Sequence, residues 1–264
     1  MTSVDQLQRQ ITFKAIPKRI ISLVPSQTEL LFDLGLEDEV IGITKFCVHP
    51  KQWFTQKTRV GGTKQIDLEK VVSLKPDLII ANKEENSLDD ITWLMERFPV
   101  WISDIENLIE AQAMINSIGE ITGKTERAGE INQKITSQFS SFKKPENHLK
   151  AVYLIWNNPM MTIASNTFIF DLMHRIGFEQ IQFSSASRYP EISMQDIKQA
   201  APNCILLSSE PFPFKQKHID QLQFHFPHLA IELVDGEYFS WYGSRLMEAP
   251  KYFNTLVDRF KVPQ

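Results

Sequence analysis

Two stretches decide the fold: IDLEKVVSLKPDLII at residues 66–80 and ISMQDIKQAAPNCIL at residues 192–206. Only three positions are identical, the pairs Ile66/Ile192, Pro76/Pro202 and Ile79/Ile205, yet the parts follow one order. Each stretch reads as a capping residue, a short helix, a proline, Asp or Asn, and an apolar run suited to a buried strand. The offset of 126 residues is close to half of the 264-residue chain. Two origins fit this echo. Any α/β protein reuses strand–helix units, or the chain is two related lobes with a small-ligand cleft between them, a common place for a pocket. Phe32-Asp33-Leu34 and Phe170-Asp171-Leu172 make a second echo at an offset of 138 residues.

Outward from these stretches, strands and helices alternate. Residues 19–24 (RIISLV) read as a buried strand ended by Pro25, and Ser26 to Glu29 (SQTE) fit a capping box opening the next helix. Leu30, Leu31 and Leu34 supply that helix with an apolar face, and Gly35 is placed as its left-handed stop. Residues 40–44, 78–81, 151–155 and 231–234 read as further strands, and residues 68–74 as a helix. The expected class is α/β with mostly parallel sheets. The middle differs. Residues 108–121 carry apolar side chains at helical spacing with Gly123 as a stop, and residues 125–143 set Ala128, Ile131, Ile135, Phe139 and Phe142 on one stripe. KKPEN at residues 143–147 then breaks the pattern. The expected organisation is an amino-terminal lobe over residues 1–104, a helical segment over 105–143 and a carboxy-terminal lobe over 144–264.

Composition excludes several classes. With 28 basic and 32 acidic residues the formal charge is −4, so no basic excess exists to displace counterions from a nucleic acid. Hydrophobic residues at 42% and charged residues at 23% describe a chain that folds rather than a disordered one. Two cysteines make no disulfide framework, and no apolar run is long enough to span a bilayer. Residues 1–15 are polar and lack the apolar core of a secretory signal.

The chemistry-bearing residues lie where strands run into helices. Cys47 and His49 follow the strand ending near residue 44, at the edge where α/β sheets bind ligands. Thiolate or imidazole could each serve as one axial ligand to a metal already held in a chelate. The other histidines (His148, His174, His218, His225 and His228) form no cage pattern, so no resident metal is expected. Trp156 follows a strand, Tyr189 precedes the second echoed helix, and Trp241, Tyr242 and Arg245 follow the strand at 231–234. Aromatic rings offer flat contact area and Arg a fixed fork of donors, so these residues are ligand candidates, with loop packing as the plain alternative. No phosphate loop, nucleophile elbow or HExxH pattern is present, so a binding protein is expected and not an enzyme. Phe212 and Phe214, alternating with prolines, read as loop packing. Glu69, and Gln195 with Asp196 in the second echo, fall in the first turn of their helices, where a carboxylate favours the positive end of the dipole.

LVPSQTEL at residues 23–30 and LEKVVSLKPDLIIA at residues 68–81 resemble the substrate-binding proteins of ABC importers for iron-siderophores, haem and vitamin B12, the helical-backbone metal receptors. The likeness runs from about residue 5 to residue 260, stronger in the first half, and is greatest to the vitamin B12-binding members. The resemblance implies two lobes with mostly parallel sheets joined by one long rigid helix, with the ligand in the cleft between them. It implies a monomer that carries a metal chelate such as cobalamin or a ferric siderophore, with no built-in cofactor, to an ABC permease and its ATPase. Permease docking would use Glu69 in one lobe and Gln195, with Asp196 beside it, in the other. Tyr189 falls on an aromatic pocket position of the B12 binders, Thr63 stands where they carry a tryptophan, and residues 237–245 replace their last pocket loop. A periplasmic or cell-envelope location is implied, while the polar start leaves the cytoplasm open. There the rival is an enzyme or sensor reusing the fold, with Cys47 and His49 as a reactive pair.

Overall fold

The computed structural model describes residues 1–145 and 149–260. Its polar first residues fold back as a hairpin of β1 (Thr2–Val4) and β2 (Gln10–Thr12). The buried Asp5 carboxylate holds the turn, accepting from the backbone N–H groups of Leu7 and Arg9 and pairing with the Arg9 side chain. The first apolar run then forms β3 (Ile20–Ser22), followed by α1 (Pro25–Asp33). The expected capping box at Ser26–Glu29 does not form. Val24 is the N-cap and provides no side-chain bond, because Pro25 occupies the first helical position. Proline there has a preset φ and lacks an N–H that would otherwise need a partner. Ser26 thus lies inside the helix, and Glu29 is available for another contact. Gly35, at φ +73°, ends the helix as expected.

The first unit continues through β4 (Val40–Ile43), α2 (Lys51–Gln56), β5 (Thr58–Arg59), α3 (Leu68–Leu74), β6 (Leu78–Asn82), α4 (Leu88–Met95) and β7 (Val100–Ser103). Its five strands pair in parallel in the order β5-β4-β3-β6-β7. All five residues of β6 are buried, as a strand covered by helices on both faces requires. Ile21, Val71, Ile79, Ile91 and Leu94 pack together in the core beside that sheet.

Two helices follow, α5 (Leu108–Thr122) and α6 (Thr125–Ser141), joined at Gly123 with φ +71°. They pack closely because Gly119 has no side chain: a Cβ there would lie 2.4 Å from the Cβ of Ala128. Ala128, Ile131 and Ile135 are the buried stripe of α6, as their spacing predicts. The chain forms two compact units, and α6 belongs to the first as far as Ser137 and to the second from Gln138. The expected break at 143–147 and His148 fall partly outside the described residues, namely at 146–148.

The second unit has β8 (Leu149–Leu154), a hairpin of β9 (Trp156–Asn157) and β10 (Met160–Met161), α7 (Phe168–Arg175), β11 (Phe178–Gln180), α8 (Met194–Ala200), β12 (Cys204–Ser208), α9 (Gln216–His225), β13 (Ala230–Val234) and α10 (Glu237–Ser240). Its main sheet is parallel in the order β11-β8-β12-β13. A 3₁₀ turn at Ser244–Met247 and a last helix, α11 (Ala249–Asp258), complete the chain. Trp241–Met247 belongs to the first unit, whereas α10 and α11 on either side of it belong to the second.

The echo at 126 residues holds position by position. Both helices have seven residues, both begin on a side-chain cap (Asp67 and Ser193), and both end on a left-handed residue that is not glycine, Lys75 at φ 46° and Ala201 at φ 44°. The second echo does not superpose. Asp33 is the last residue of α1, while Asp171 lies in the first turn of α7, where it pairs with Arg175. Three shared letters carry no register when the helix starts differ.

Candidate functional site

In the first unit, candidate residues Cys47 and His49 lie on the loop after β4. Lys45 to Val48 is tied by backbone bonds: Lys45 N–H donates to the Gly61 carbonyl beyond β5 (2.8 Å), Cys47 N–H to Thr44 (3.2 Å) and Val48 N–H to Phe46 (2.9 Å). The side chains then alternate. Phe46 is 51% exposed and Val48 41%, while Cys47 between them is fully buried. Its thiol lies 3.0 Å from the Thr28 hydroxyl and 3.1 Å from that of Thr44, and burial pushes its pKa up to about 11. Cys47 is therefore an anchor beneath the loop. The expected ligand or reactive thiolate is not built there, since almost none of this thiol ionises at neutral pH. Cys204 is likewise buried in β12, its thiol raised to about 12 by burial.

His49 is half-buried, and its ring meets Trp241 edge-to-face at 5.5 Å between centroids. Trp241 is in turn covered by the Arg245 guanidinium, 4.5 Å from the ring centroid. Arg245 forms a two-pronged pair with Glu29 of α1, at 2.8 and 3.0 Å. Burial lifts the Glu29 carboxyl above its usual range, with the Arg245 guanidinium pulling against that rise. Beside this chain of contacts the Tyr242 hydroxyl donates to Glu85 at 2.7 Å. Burial, followed by that carboxylate, raises the Tyr242 phenol well above its ordinary value, so it stays a donor. Gly243 rests on the backbone of α1, where a Cβ would come within 2.6 Å of the Ser26 carbonyl oxygen. Trp241 and Tyr242 are buried. The three residues expected as ligand contacts in this segment thus fasten it to the first unit.

The second unit exposes its own aromatic group. Trp156, on β9, is 38% exposed and meets Phe212 edge-to-face at 5.6 Å. The segment holding Tyr189 runs beside β10, with Thr162 N–H donating to the Pro190 carbonyl at 3.0 Å and Ile192 N–H to Met160 at 2.9 Å. Tyr189 is half-buried. Phe212 and Phe214 pack with His218, whose Nδ1 accepts from the Lys215 N–H, so these aromatics are loop packing as their sequence suggests.

On α3 and α8 the expected docking residues separate by chemistry. Glu69 and Gln195 are exposed in the first helical turn. The Asp196 carboxylate instead accepts from the Ser193 backbone N–H at 2.7 Å while the Ser193 hydroxyl accepts from the Asp196 N–H, a capping box. That bonding holds the Asp196 carboxyl below its usual range.

Sequence reasoning passed over Phe46, Val48 and Glu85, and read Glu29 only as part of a capping box. Alternation around Cys47 marks the first two. The pairing of Glu29 with Arg245, 216 positions apart, has no local signal. Among the described residues no three His, Cys, Asp or Glu side chains are grouped to hold a metal, and no helix is long and apolar enough to cross a membrane.

Each unit is a parallel α/β sheet with candidate ligand side chains on the loops beyond its strands, the edge where such sheets bind ligands. Residues 20–229 match the periplasmic binding protein family, and the chain belongs to it. It is 29% identical over 187 residues, 67% of its length, to an ABC transporter substrate-binding lipoprotein of Bacillus subtilis, spanning 59% of that relative. It is 24% identical to the vitamin B12-binding protein of Pectobacterium atrosepticum over 94% of this chain and 91% of that one. The periplasmic heme-binding protein RhuT from Roseiflexus sp. RS-1 shares the fold with a TM-score of 0.78 at 18% identity, covering 91% of this chain and 98% of that one.

Proposed function

We propose that this protein captures a metal chelate, a corrinoid or an iron-siderophore-like compound, and delivers it to an ABC importer in the membrane. The observation that carries the reading is the family match over residues 20–229, and relatives named for vitamin B12 and heme support a chelate as the cargo. His49, with Phe46 and Val48 exposed on the same loop, is the ligand surface of the first unit. Trp156 and Tyr189 are the ligand residues of the second. Trp241, Tyr242 and Arg245 act behind His49. The chelate is cargo, so the protein has no resident cofactor and no turnover, and it works as a monomer in the periplasm or cell envelope. Glu69 and Gln195 meet the permease, with Asp196 capping its own helix beside the second contact.

Titration with cobalamin, cobinamide, haemin and ferric siderophores, followed by absorption and tryptophan fluorescence, tests the reading. Saturable binding of one such compound at one per chain is expected. Absence of saturable binding to all four overturns the metal-chelate assignment.

A further inference from the structure

A strand at the edge of a sheet leaves the backbone groups of every second residue unpaired, an open template for another chain. The two edges of the first unit's sheet are closed in different ways. β5 is two exposed residues long and ends on Arg59, so that edge is short and charged. β7 has four buried residues, VWIS, and no charge lies from Phe98 to Ser103. Val, Trp and Ile also favour extended pairing. The Pro99 and Ser103 carbonyls accept from the Ile79 and Lys83 N–H groups on the β6 side, at 2.9 and 3.0 Å. Alternation therefore turns Val100, Ile102 and Asp104 to the free edge.

The turn between β1 and β2 meets this edge group by group. The Arg9 guanidinium donates to the Val100 carbonyl at 2.9 Å, and the Asp5 carboxylate accepts from the Ile102 N–H at 3.3 Å. Gln6 N–H donates to the Ile102 carbonyl at 3.2 Å, and the Gln6 amide oxygen accepts from the Asp104 N–H at 3.1 Å. Three of these four bonds come from side chains, so the turn imitates a strand without lying along β7 as one. It is also fastened from behind. The Gln6 amide donates to the Glu110 carbonyl at 2.9 Å, and Leu7 packs on the core. Gln8 keeps a left-handed φ of 63° despite its Cβ, a conformation that persists only where the surroundings hold it.

We propose that Asp5–Arg9 is a guard that closes β7, and that the edge beneath it is a pairing surface for a second copy of this chain. The free-edge groups are self-complementary about Ile102. In an antiparallel pair Ile102 exchanges both bonds with its own copy, and the Val100 carbonyl accepts from the Asp104 N–H of the other chain. The turn fills those same four positions, so the edge takes one occupant or the other. A symmetric pairing of this kind closes at two chains. The inference is independent of the cargo.

The test compares the full chain with a triple variant, Asp5→Ala with Gln6→Ala and Arg9→Ala. Amide hydrogen exchange is read at Ile102 and Asp104, and mass by light scattering. In dilute solution both amides should exchange at least about 10-fold faster in the triple variant, with β6 still protected. In concentrated solution the variant should form dimers in which both amides regain protection, while the unaltered chain stays monomeric. Gln6→Ala alone is milder for folding. It should speed exchange at Asp104 by about 10-fold and at Ile102 by less than about threefold, because Asp5 still holds the Ile102 N–H. Ile79→Ala weakens the core, leaves the turn intact and should stay monomeric. A triple variant that remains monomeric when concentrated overturns the pairing surface. So does a dimer in which Ile102 and Asp104 still exchange fast. Unchanged Asp104 exchange in Gln6→Ala overturns the guard, and that variant decides if the triple one does not fold. Dimerisation of Ile79→Ala to the same extent also overturns it, because lost stability alone would then suffice.

Discussion

Asp67–Asn82 in the first unit and Ser193–Ser208 in the second are the same device built twice with different letters. The agreement reaches single hydrogen bonds. Asp77 accepts from the Arg19 N–H at 2.7 Å and donates its own N–H to the Arg19 carbonyl at 3.0 Å. Asn203, its counterpart in the echo, does the same with Lys150, at 2.8 and 2.7 Å. That is why Asp or Asn follows the proline in both: a short oxygen acceptor must reach the backbone at the start of the neighbouring strand, β3 or β8. The regions differ where side chains face water. Asp67 pairs with Lys70 at 2.9 Å, whereas Ser193 and Asp196 cap each other. Glu69 in one corresponds to Gln195 in the other. Positions that hold the backbone repeat, and the exposed positions have diverged.

The equivalence can be broken at four depths. Ile79 and Ile205 occupy the same place in β6 and β12 and are fully buried. Replacing either by Ala is expected to cost about 2–5 kcal/mol by urea unfolding. A cost below about 1 kcal/mol at one site would show that the two cores are not equivalent. Next come Asp77→Ala and Asn203→Ala, each expected to lose about 1–2 kcal/mol. The loss should be larger at Asp77, which also accepts from the Lys18 N–H at 2.8 Å. Equal losses would mean that the second bond adds nothing.

Lys75→Gly and Ala201→Gly work in the opposite direction. A left-handed residue with a Cβ is strained by about 1–2 kcal/mol, and glycine gives back part of that relief through a freer unfolded chain. A net gain of about 0.5–1 kcal/mol is expected for each by thermal unfolding, and a loss at either would show that its side chain has a role of its own. The smallest effect on stability belongs to Glu69→Gln and Gln195→Glu, within about 0.5 kcal/mol because both sites are exposed. Capture by permease-containing nanodiscs separates them. Glu69→Gln should weaken it about fivefold or more, and Gln195→Glu should change it less than about threefold. Equal effects would show that the carboxylate at Glu69 contributes no more to docking than the amide at Gln195.

Much of the scaffold is legible in short stretches of sequence. The helix at 68–74 and its stop at Lys75-Pro76, the strands at β4 and β6, and the left-handed Gly35 and Gly123 all follow from neighbours within one or two helical turns. The capping box expected at Ser26 fails at the same scale, because a proline one position earlier competes for the helix start and wins. The candidate site is legible only in part. Half-buried His49 lies on the loop between β4 and α2, and Trp156 lies on β9 directly after β8, the chain positions their sequence setting suggests. Trp241, Tyr242 and Arg245 mark a segment of interest, but their individual roles depend on Glu29 and Glu85.

Strand period, capping and turn chemistry are short-range effects, and they suffice to dictate an α/β chain with an internal repeat and aromatic loops. Packing of the whole chain is what seals Cys47 under its loop and brings Glu29 to Arg245. Packing also groups residues 241–247 with the first unit, beside Glu29, His49 and Glu85. Burial, and the partner of a charge hundreds of residues away, are properties of the packed chain that no local pattern encodes.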